Sequence, residues 1–178
     1  MSYLKKLTYP KKSHPKEFKI PKYSQDLAEF FGIMMGDGGI NSDWQFTITL
    51  NAISDRDYCE KVICLSNKLF GVKPTVSQRR NSNTLVLKFS SVYLVRYLIK
   101  LGLPNGNKMR NGLNIPEWII LNKKFKKACV RGLIDTDGCI FIHRHSIKGK
   151  IYKNLGLSFR SYDPKLIIQV ADIFREFD

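Results

Sequence analysis

Two segments of the chain repeat the same pattern of small, apolar and acidic residues. The first reads FFGIMMGDGGI and the second VRGLIDTDGCI, and an alignment without gaps places Asp37 over Asp137. In each segment the apolar residues before the aspartate follow helical spacing, so each predicts a helix that ends at an Asp-Gly pair. A repeat of this length indicates a duplicated unit rather than a solenoid.

Small residues lie four positions apart on one face of each predicted helix. They are Gly32 and Gly36 in the first helix and Gly132 and Thr136 in the second. Small residues at this spacing let two helix backbones approach closely, so we expect the two helices to pack on each other. That packing would bring Asp37 and Asp137 to the same end of the helix pair.

The intervening sequence alternates between helical and strand periodicity. The pattern predicts helices over residues 24–36, 55–70 and 91–101, a short strand at 39–41, a strand at 44–51 and a hairpin that turns at 81–83. The order then begins again with a helix from residue 123, a hairpin over 139–161 and a helix over 163–177. We therefore expect an α+β fold with a basic arm (residues 1–22), a first unit (23–122) and a partial second unit (123–178).

Charge points to a polyanionic partner. The chain has 30 Lys and Arg against 15 Asp and Glu, a net charge of +15, which favours nucleic acid. A ribosome-associated or merely soluble basic protein is the alternative that charge leaves open. The four cysteines lack zinc-ligand spacing, so we expect them to be reduced. We find no membrane span or signal peptide and expect an intracellular protein, cytoplasmic, nucleoid-associated or organellar.

The two acidic helix ends suggest a metal site. A carboxylate at a helix C-terminus opposes the helix dipole, and two adjacent carboxylates repel each other. A divalent cation relieves both effects, because Mg²⁺ prefers carboxylate, main-chain carbonyl and water oxygens. The other interpretation is that each Asp-Gly pair only ends a helix, with glycine supplying the turn.

Both segments resemble the signature helices of the LAGLIDADG homing endonucleases, including the variant that ends in G-D-G. The resemblance implies duplicated αββαββα units whose saddle-shaped sheets lie in the major groove of double-stranded DNA. It implies a site for Mg²⁺, or Mn²⁺ as a substitute, formed by Asp37 and Asp137 together with Gly36 and Thr136, and it gives no ligand role to Asp135. A lysine before the I-P-E-W segment, Lys108, would assist at the scissile phosphate.

Strand residues that face away from the core are the expected DNA contacts. In the first unit they are Gln45, Thr47, Thr49, Gln78, Arg80 and Lys88, with Arg79 nearby, and in the second they are Arg144, Lys148, Lys150, Lys153, Ser158 and Arg160. Arg and Gln suit bases, whereas Lys suits phosphates.

By this resemblance the second unit is incomplete. A truncated fragment, a degenerate copy that does not cleave, and a second chain that supplies the rest all fit. No splicing junction is visible, so we expect a free-standing enzyme rather than an intein, although the family is associated with introns and inteins. The expected function is metal-dependent, site-specific DNA cleavage. The alternative is a DNA- or RNA-binding regulator or maturase on the same fold.

Overall fold

The computed structural model describes residues 18–177, so most of the predicted basic arm lies outside the described residues. The elements follow the chain in the order α1 (Gln25–Gly36), β1 (Gly38–Ser42), β2 (Gln45–Asn51), α2 (Arg56–Phe70), β3 (Thr75–Gln78), β4 (Thr84–Ser90), α3 (Val92–Lys100), α4 (Lys108–Asn111), α5 (Glu117–Ile120), α6 (Lys123–Asp137), β5 (Gly138–Ile147), β6 (Lys150–Phe159) and α7 (Pro164–Arg175). We call α1 to α3 the amino-terminal unit and α6 to α7 the carboxy-terminal unit.

Helix α1 lies at the centre of the molecule. The Ser24 hydroxyl accepts a hydrogen bond from the Leu27 amide at 3.2 Å and so caps the helix start. Every residue from Leu27 to Met35 is buried, which is the pattern of a helix packed on all sides rather than on one face. Helix α6 begins at a similar cap, where the Asn122 side chain accepts hydrogen bonds from the amides of Lys124 and Phe125.

The amino-terminal sheet has the strand order β1-β2-β4-β3, with all neighbours antiparallel. Thr47 pairs with Lys88, and Ile48 pairs with Leu87. Because side chains alternate across a sheet, Thr47 and Lys88 share one face while the apolar pair shares the other. The apolar face is the core side, where the rings of Phe46 and Phe89 stack at 4.5 Å.

The connection between α3 and α6 contains two short helices, α4 and α5, that the sequence pattern did not predict. The Trp118 indole on α5 donates to the Leu101 carbonyl at 3.1 Å and stacks on Tyr23 at 4.7 Å. This packing holds the connection against the core and leads the chain into α6.

The carboxy-terminal unit repeats the order helix, strand, strand, helix. Strands β5 and β6 pair without a bulge from Gly138 opposite Phe159 to Ile147 opposite Lys150. They are joined by a tight turn whose central residues, Lys148 and Gly149, both have positive φ, as a type I′ turn requires. Helix α7 starts at Pro164 and ends two residues before its predicted end.

Among residues 18–177, no helix combines the length and apolar composition that crossing a bilayer requires.

Candidate active site and nucleic-acid interface

Helices α1 and α6 pack closely through their predicted small residues. A Cβ atom added at Gly32 would lie 2.1 Å from the Cys129 carbonyl oxygen, and one added at Gly132 would lie 2.4 Å from the Glu29 carbonyl oxygen. Real Cβ atoms do not approach backbone atoms so closely, so only glycine fits at either position. The two contacts are related by a pseudo-twofold axis between the helices.

The same contact continues to the helix ends. A Cβ added at Gly36 would lie 2.0 Å from the Thr136 hydroxyl oxygen and 3.2 Å from a carboxylate oxygen of Asp137. The Thr136 hydroxyl donates within its own helix, to the carbonyls of Gly132 and Leu133 at 3.0 Å. Asp137 therefore lies against the end of α1, where Asp37 follows as the C-cap.

Both aspartates have a raised pKa, and the charge of Asp137 contributes to the shift at Asp37. Partial burial and the negative charge of Asp137 raise the pKa of Asp37 from 3.8 to about 6, although Lys108 opposes the shift. Burial also raises the pKa of Asp137, again against Lys108. Carboxylates with raised pKa values at one point of a fold mark a candidate functional site.

Lys108 lies at the same point, although it belongs to the connecting segment. Its ammonium group donates to the carbonyl oxygens of Met35 and Gly36, at 2.9 and 2.5 Å, and so caps the last turn of α1. Burial lowers the pKa of Lys108, and the charges of Asp137 and Asp37 partly restore it. The predicted trio of Asp37, Asp137 and Lys108 is therefore brought together.

The donor set at this point suits a hard divalent cation. Within residues 18–177, no cluster of three or more His, Cys, Asp and Glu side chains could hold a metal. A Mg²⁺ ion, however, needs only one or two carboxylates when water and substrate phosphates complete its shell. The Gly36 carbonyl already accepts from Lys108, although a carbonyl oxygen retains a second lone pair.

A polar groove of about 520 Å³ runs from Asp37 across the open face of the amino-terminal sheet. We call it the first groove. Five of the predicted contacts line it, namely Gln45, Thr47, Thr49, Arg79 and Lys88. Arg80 lies beside it in the exposed turn between β3 and β4. A chain of polar side chains thus leads directly to the acid pair.

The structure corrects the side of the sheet on which three residues were predicted to lie. Gln78 pairs with Leu85, on the core side, and its amide donates to the Ser82 carbonyl. Arg144 and Lys153 pair with each other in the row of Ile140, which lies on the helix side. For Arg144 and Lys153 the predicted facing was wrong because the ladder of β5 and β6 runs without a bulge, so nothing resets the alternation. For Gln78 it was wrong because the register of β3 places Thr75 and Ser77 on the face of Lys88.

A second groove, of about 780 Å³, lies on the other side of the acid pair. It is lined by Lys108, Asp137 and Arg160, together with Ser161 and Tyr162 after β6. The amide of Arg160 donates to the Asp137 carbonyl at 3.2 Å. Of the remaining predicted contacts, Ser158 and Lys150 lie on the sheet face opposite the helices, and Lys148 lies in the hairpin turn.

The sequence prediction omitted an aromatic and amide row on that same face. His143 pairs with Asn154 and His145 with Tyr152, and the His145 and Tyr152 rings stack at 5.5 Å. In the amino-terminal sheet it also omitted Ser77 and Asn41, which line the first groove. Counting by two from Cys139, the residue after the motif's Asp-Gly pair, would have assigned the histidine row.

Solved structures share this fold. The chain aligns over 85% of its length with a variant of the homing endonuclease I-DmoI, covering 76% of that protein with a TM-score of 0.52 at 15% identity. It aligns equally with the I-LtrWI LAGLIDADG homing endonuclease bound to target DNA, with a TM-score of 0.52, 13% identity and 73% coverage of that chain. This chain has the LAGLIDADG homing endonuclease fold.

A third structure agrees with the assignment of the LAGLIDADG fold. The meganuclease I-SmaMI, bound to uncleaveable DNA, aligns over 86% of this chain and 73% of its own with a TM-score of 0.51 at 11% identity. The predicted α+β fold class is thereby confirmed. At these identities the likeness concerns the fold, and the roles of Asp37, Asp137 and Lys108 stay predictions.

Sequence comparison finds shorter shared segments. No family model matches the chain. The chain is 32% identical over 122 residues to a component of the A-type ATP synthase of Pyrococcus horikoshii and 27% identical over 135 residues to the small replication factor C protein of Methanocaldococcus jannaschii. The matches cover 65% and 69% of this chain but 12% and 7% of those proteins. Because the chain spans so small a part of these relatives, their names assign it no activity.

Proposed function

We propose that this chain is a divalent-metal-dependent endonuclease that cleaves double-stranded DNA at specific sites. The observation that carries the proposal is the convergence of Asp37, Asp137 and Lys108 where the two grooves meet. A binding protein has no need of two carboxylates that repel each other beside a partly buried lysine. A phosphodiesterase does, because the charges surround the reacting phosphate.

The two sheet faces supply the DNA interface in this proposal. A two-stranded ribbon fits the major groove of B-form DNA, and each unit offers polar side chains on its open face. Lys88 and Lys150 suit phosphates, and Gln45 suits a base edge. The I-LtrWI and I-SmaMI structures hold DNA, which supports the same use of this fold here.

The acid pair supplies the metal ligands. Asp37 and Asp137 would hold Mg²⁺, or Mn²⁺ in its place, with oxygens of the DNA phosphates and water completing the shell. When bound, the cation polarises the phosphoryl oxygen, lowers the pKa of a water molecule and neutralises the leaving alkoxide. An I-DmoI complex prepared with 2 mM Mn supports the choice of metal class.

The protein residues prepare the site for this chemistry. Asp37 must be ionised to bind the cation, which its pKa of about 6 permits at neutral pH. Lys108 donates hydrogen bonds to the end of α1. It thereby holds a positive charge where negative charge increases in the transition state. The grooves on either side position the duplex so that one phosphate meets both carboxylates.

A protein that binds DNA without cleaving it is the second candidate. The observation in its favour is that the described part of the carboxy-terminal sheet has two strands, against four in the amino-terminal sheet. Fewer strands offer less surface to hold a duplex in register for cleavage.

Nicking of DNA separates the two candidates. The purified chain is incubated with a randomised duplex library and a supercoiled plasmid in Mg²⁺, Mn²⁺ or EDTA. We expect cleavage only with metal, and a loss of at least about a thousandfold in Asp37→Asn and in Asp137→Asn with duplex affinity retained. The control Asp43→Asn makes the same change in the β1–β2 loop and should cleave normally. Tight duplex binding without nicking in either metal would establish the binding-only function.

A further inference from the structure

Away from the acid pair, a buried carboxylate lies in the middle of α1. The Glu29 side chain is 4% exposed. Arg131 of α6 contacts one of its oxygens, and the Lys61 ammonium of α2 lies 3.1 Å from the other. A carboxylate is costly to remove from water unless cations take the place of the solvent. Here two cations do so. The contact therefore ties α1 to both neighbouring helices.

Lys61 extends the contact to the end of α6. Its ammonium lies 2.9 Å from a carboxylate oxygen of Asp135, two positions before Asp137. The four side chains Glu29, Lys61, Arg131 and Asp135 thus link three helices in one connected set, which we call the charge cluster. Asp135 takes its place in the cluster rather than at the acid pair.

The charge cluster breaks the pseudo-twofold symmetry of the helix pair. The Glu29 carbonyl faces Gly132 as the Cys129 carbonyl faces Gly32, so positions 29 and 129 are equivalent. By the same alignment Arg131 corresponds to Phe31, and Asp135 to Met35. Neither helix could form the cluster with a copy of itself. The charges therefore specify this pairing, whereas the small residues would allow close packing of either helix with its own copy.

The charges also select one axial register. Helices that pack through small residues can slide by a turn, and a turn is about 5.4 Å. Such a slip would move Asp137 by that length from the end of α1. It would also carry Arg131 away from Glu29, leaving part of a buried charge without a partner. The register that pairs Glu29 with both cations is thus the register that holds Asp137 beside Asp37.

We propose that the charge cluster has a positioning role. Through Glu29, Arg131 and Lys61 it fixes α6 against α1 so that Asp137 faces Asp37. The proposal rests on the proposed function, since it assigns the cluster a role in building the metal site. None of its members lines either groove beside the acid pair, so in this proposal they act through Asp137. Side chains of similar shape without the charges should therefore leave folding and DNA binding intact while the acid pair loses its alignment.

The test replaces the cluster with methionines, in the variant Glu29→Met, Lys61→Met, Arg131→Met. Apolar replacement of a buried ion set is often neutral or stabilising, so the variant should unfold at or above the wild-type denaturant midpoint. We expect kcat for cleavage to fall about tenfold or more while KM for the duplex stays unchanged. We also expect Mn²⁺ affinity, measured by electron paramagnetic resonance of the protein with duplex, to fall by a similar factor.

Two further variants keep the result interpretable. Lys68→Met removes the exposed ion pair between Lys68 and Asp26, 2.6 Å long and also between α2 and α1, and should change neither kcat nor Mn²⁺ affinity. Arg131→Lys keeps a cation beside Glu29 and should retain most of both. If the methionine variant fails to fold, Glu29→Gln replaces it, because the amide keeps the shape and both cations remain half exposed to water.

The outcomes are distinct from those that test the proposed function. If the wild-type protein binds Mn²⁺ but never cleaves DNA, the proposed nuclease function is refuted. The Mn²⁺ affinities of the wild type and the methionine variant then still test the positioning role. A folded methionine variant with wild-type Mn²⁺ affinity would overturn the positioning role of the charge cluster, whether or not the wild type cleaves. Equal losses in Lys68→Met would overturn it as well, since any ion pair between α1 and α2 would then have the same effect.

Discussion

At the scale of single residues, Asp37 is costly to ionise in the folded protein. Its pKa is raised to about 6, first by burial and then by the charge of Asp137. A raised carboxyl pKa means that the folded protein binds a proton more readily than the unfolded chain does. Ionised Asp37 therefore destabilises the metal-free protein at neutral pH, as expected where function rather than stability selects a residue.

This cost predicts how stability depends on pH. Between about pH 4, where unfolded aspartate ionises, and pH 6, where Asp37 does, the wild-type protein should lose stability as pH rises. Asp37→Asn removes this loss. In EDTA, thermal melts should show the variant more stable than wild type at pH 7.5 and the advantage fading by pH 4. An Asp37→Asn variant less stable than wild type at pH 7.5 would contradict the assigned shift.

Single residues differ in how far the sequence predicts them. Asp37, Asp137 and Lys108 were predicted because each lies in a local motif, and the structure brings them together. Their roles stay predictions. Glu29 was not singled out, because both of its cations come from other helices and no spacing along the chain relates them. Local patterns reveal residues that share a motif, whereas a long-range charge cluster requires the fold.

At the scale of elements, α1 and α6 determine the geometry of the site. Their glycines admit an approach that no larger side chain permits, and a strand follows each helix directly, at Gly38 and at Gly138. The sheet of the amino-terminal unit and the hairpin of the carboxy-terminal unit consequently begin beside the acid pair. The helix interface and the candidate active site are thus one structural feature.

Crowding at the interface predicts a large effect from a single methyl group. Gly132→Ala would place a Cβ 2.4 Å from the Glu29 carbonyl and should reduce the free energy of unfolding by about 1–3 kcal/mol. Gly39→Ala, whose Cβ would meet only the Asn41 side chain at 3.7 Å, should change it by less than about 0.5 kcal/mol. Urea titrations of both variants provide the comparison. If Gly132→Ala and Gly39→Ala were equally stable, a methyl group at Gly132 would not crowd the interface between α1 and α6.

The elements themselves were largely predictable. Both motif helices, the amino-terminal sheet and the final hairpin were predicted from periodicity. Apolar residues follow helical spacing in the helices and alternate with polar residues in the strands. The helices α4 and α5 were not predicted, since each is too short to show a period. Facing was correct for Thr47 and Lys88 but wrong for Lys153, because the phase of a strand depends on whether a bulge interrupts it.

At the scale of the whole molecule, two unequal surfaces flank one site. The amino-terminal sheet has a buried apolar face, where Ile40 is 3% exposed, whereas its counterpart Ile140 on the hairpin is 64% exposed. The incomplete second unit was inferred from family resemblance, and the completing segment or chain stays a prediction. The net charge of +15 belongs to the whole chain and suits the polyanionic partner that the proposed function requires.

The central claim is that Asp37 and Asp137, from two different units, share divalent metal beside one DNA phosphate. Crystals of the protein with a cleavable duplex and Mn²⁺ test it directly by anomalous diffraction. We expect a manganese peak within about 2.2 Å of carboxylate oxygens of both residues and of a DNA phosphate oxygen. Manganese bound only elsewhere, with DNA seated in both grooves and the two carboxylates empty, would contradict it.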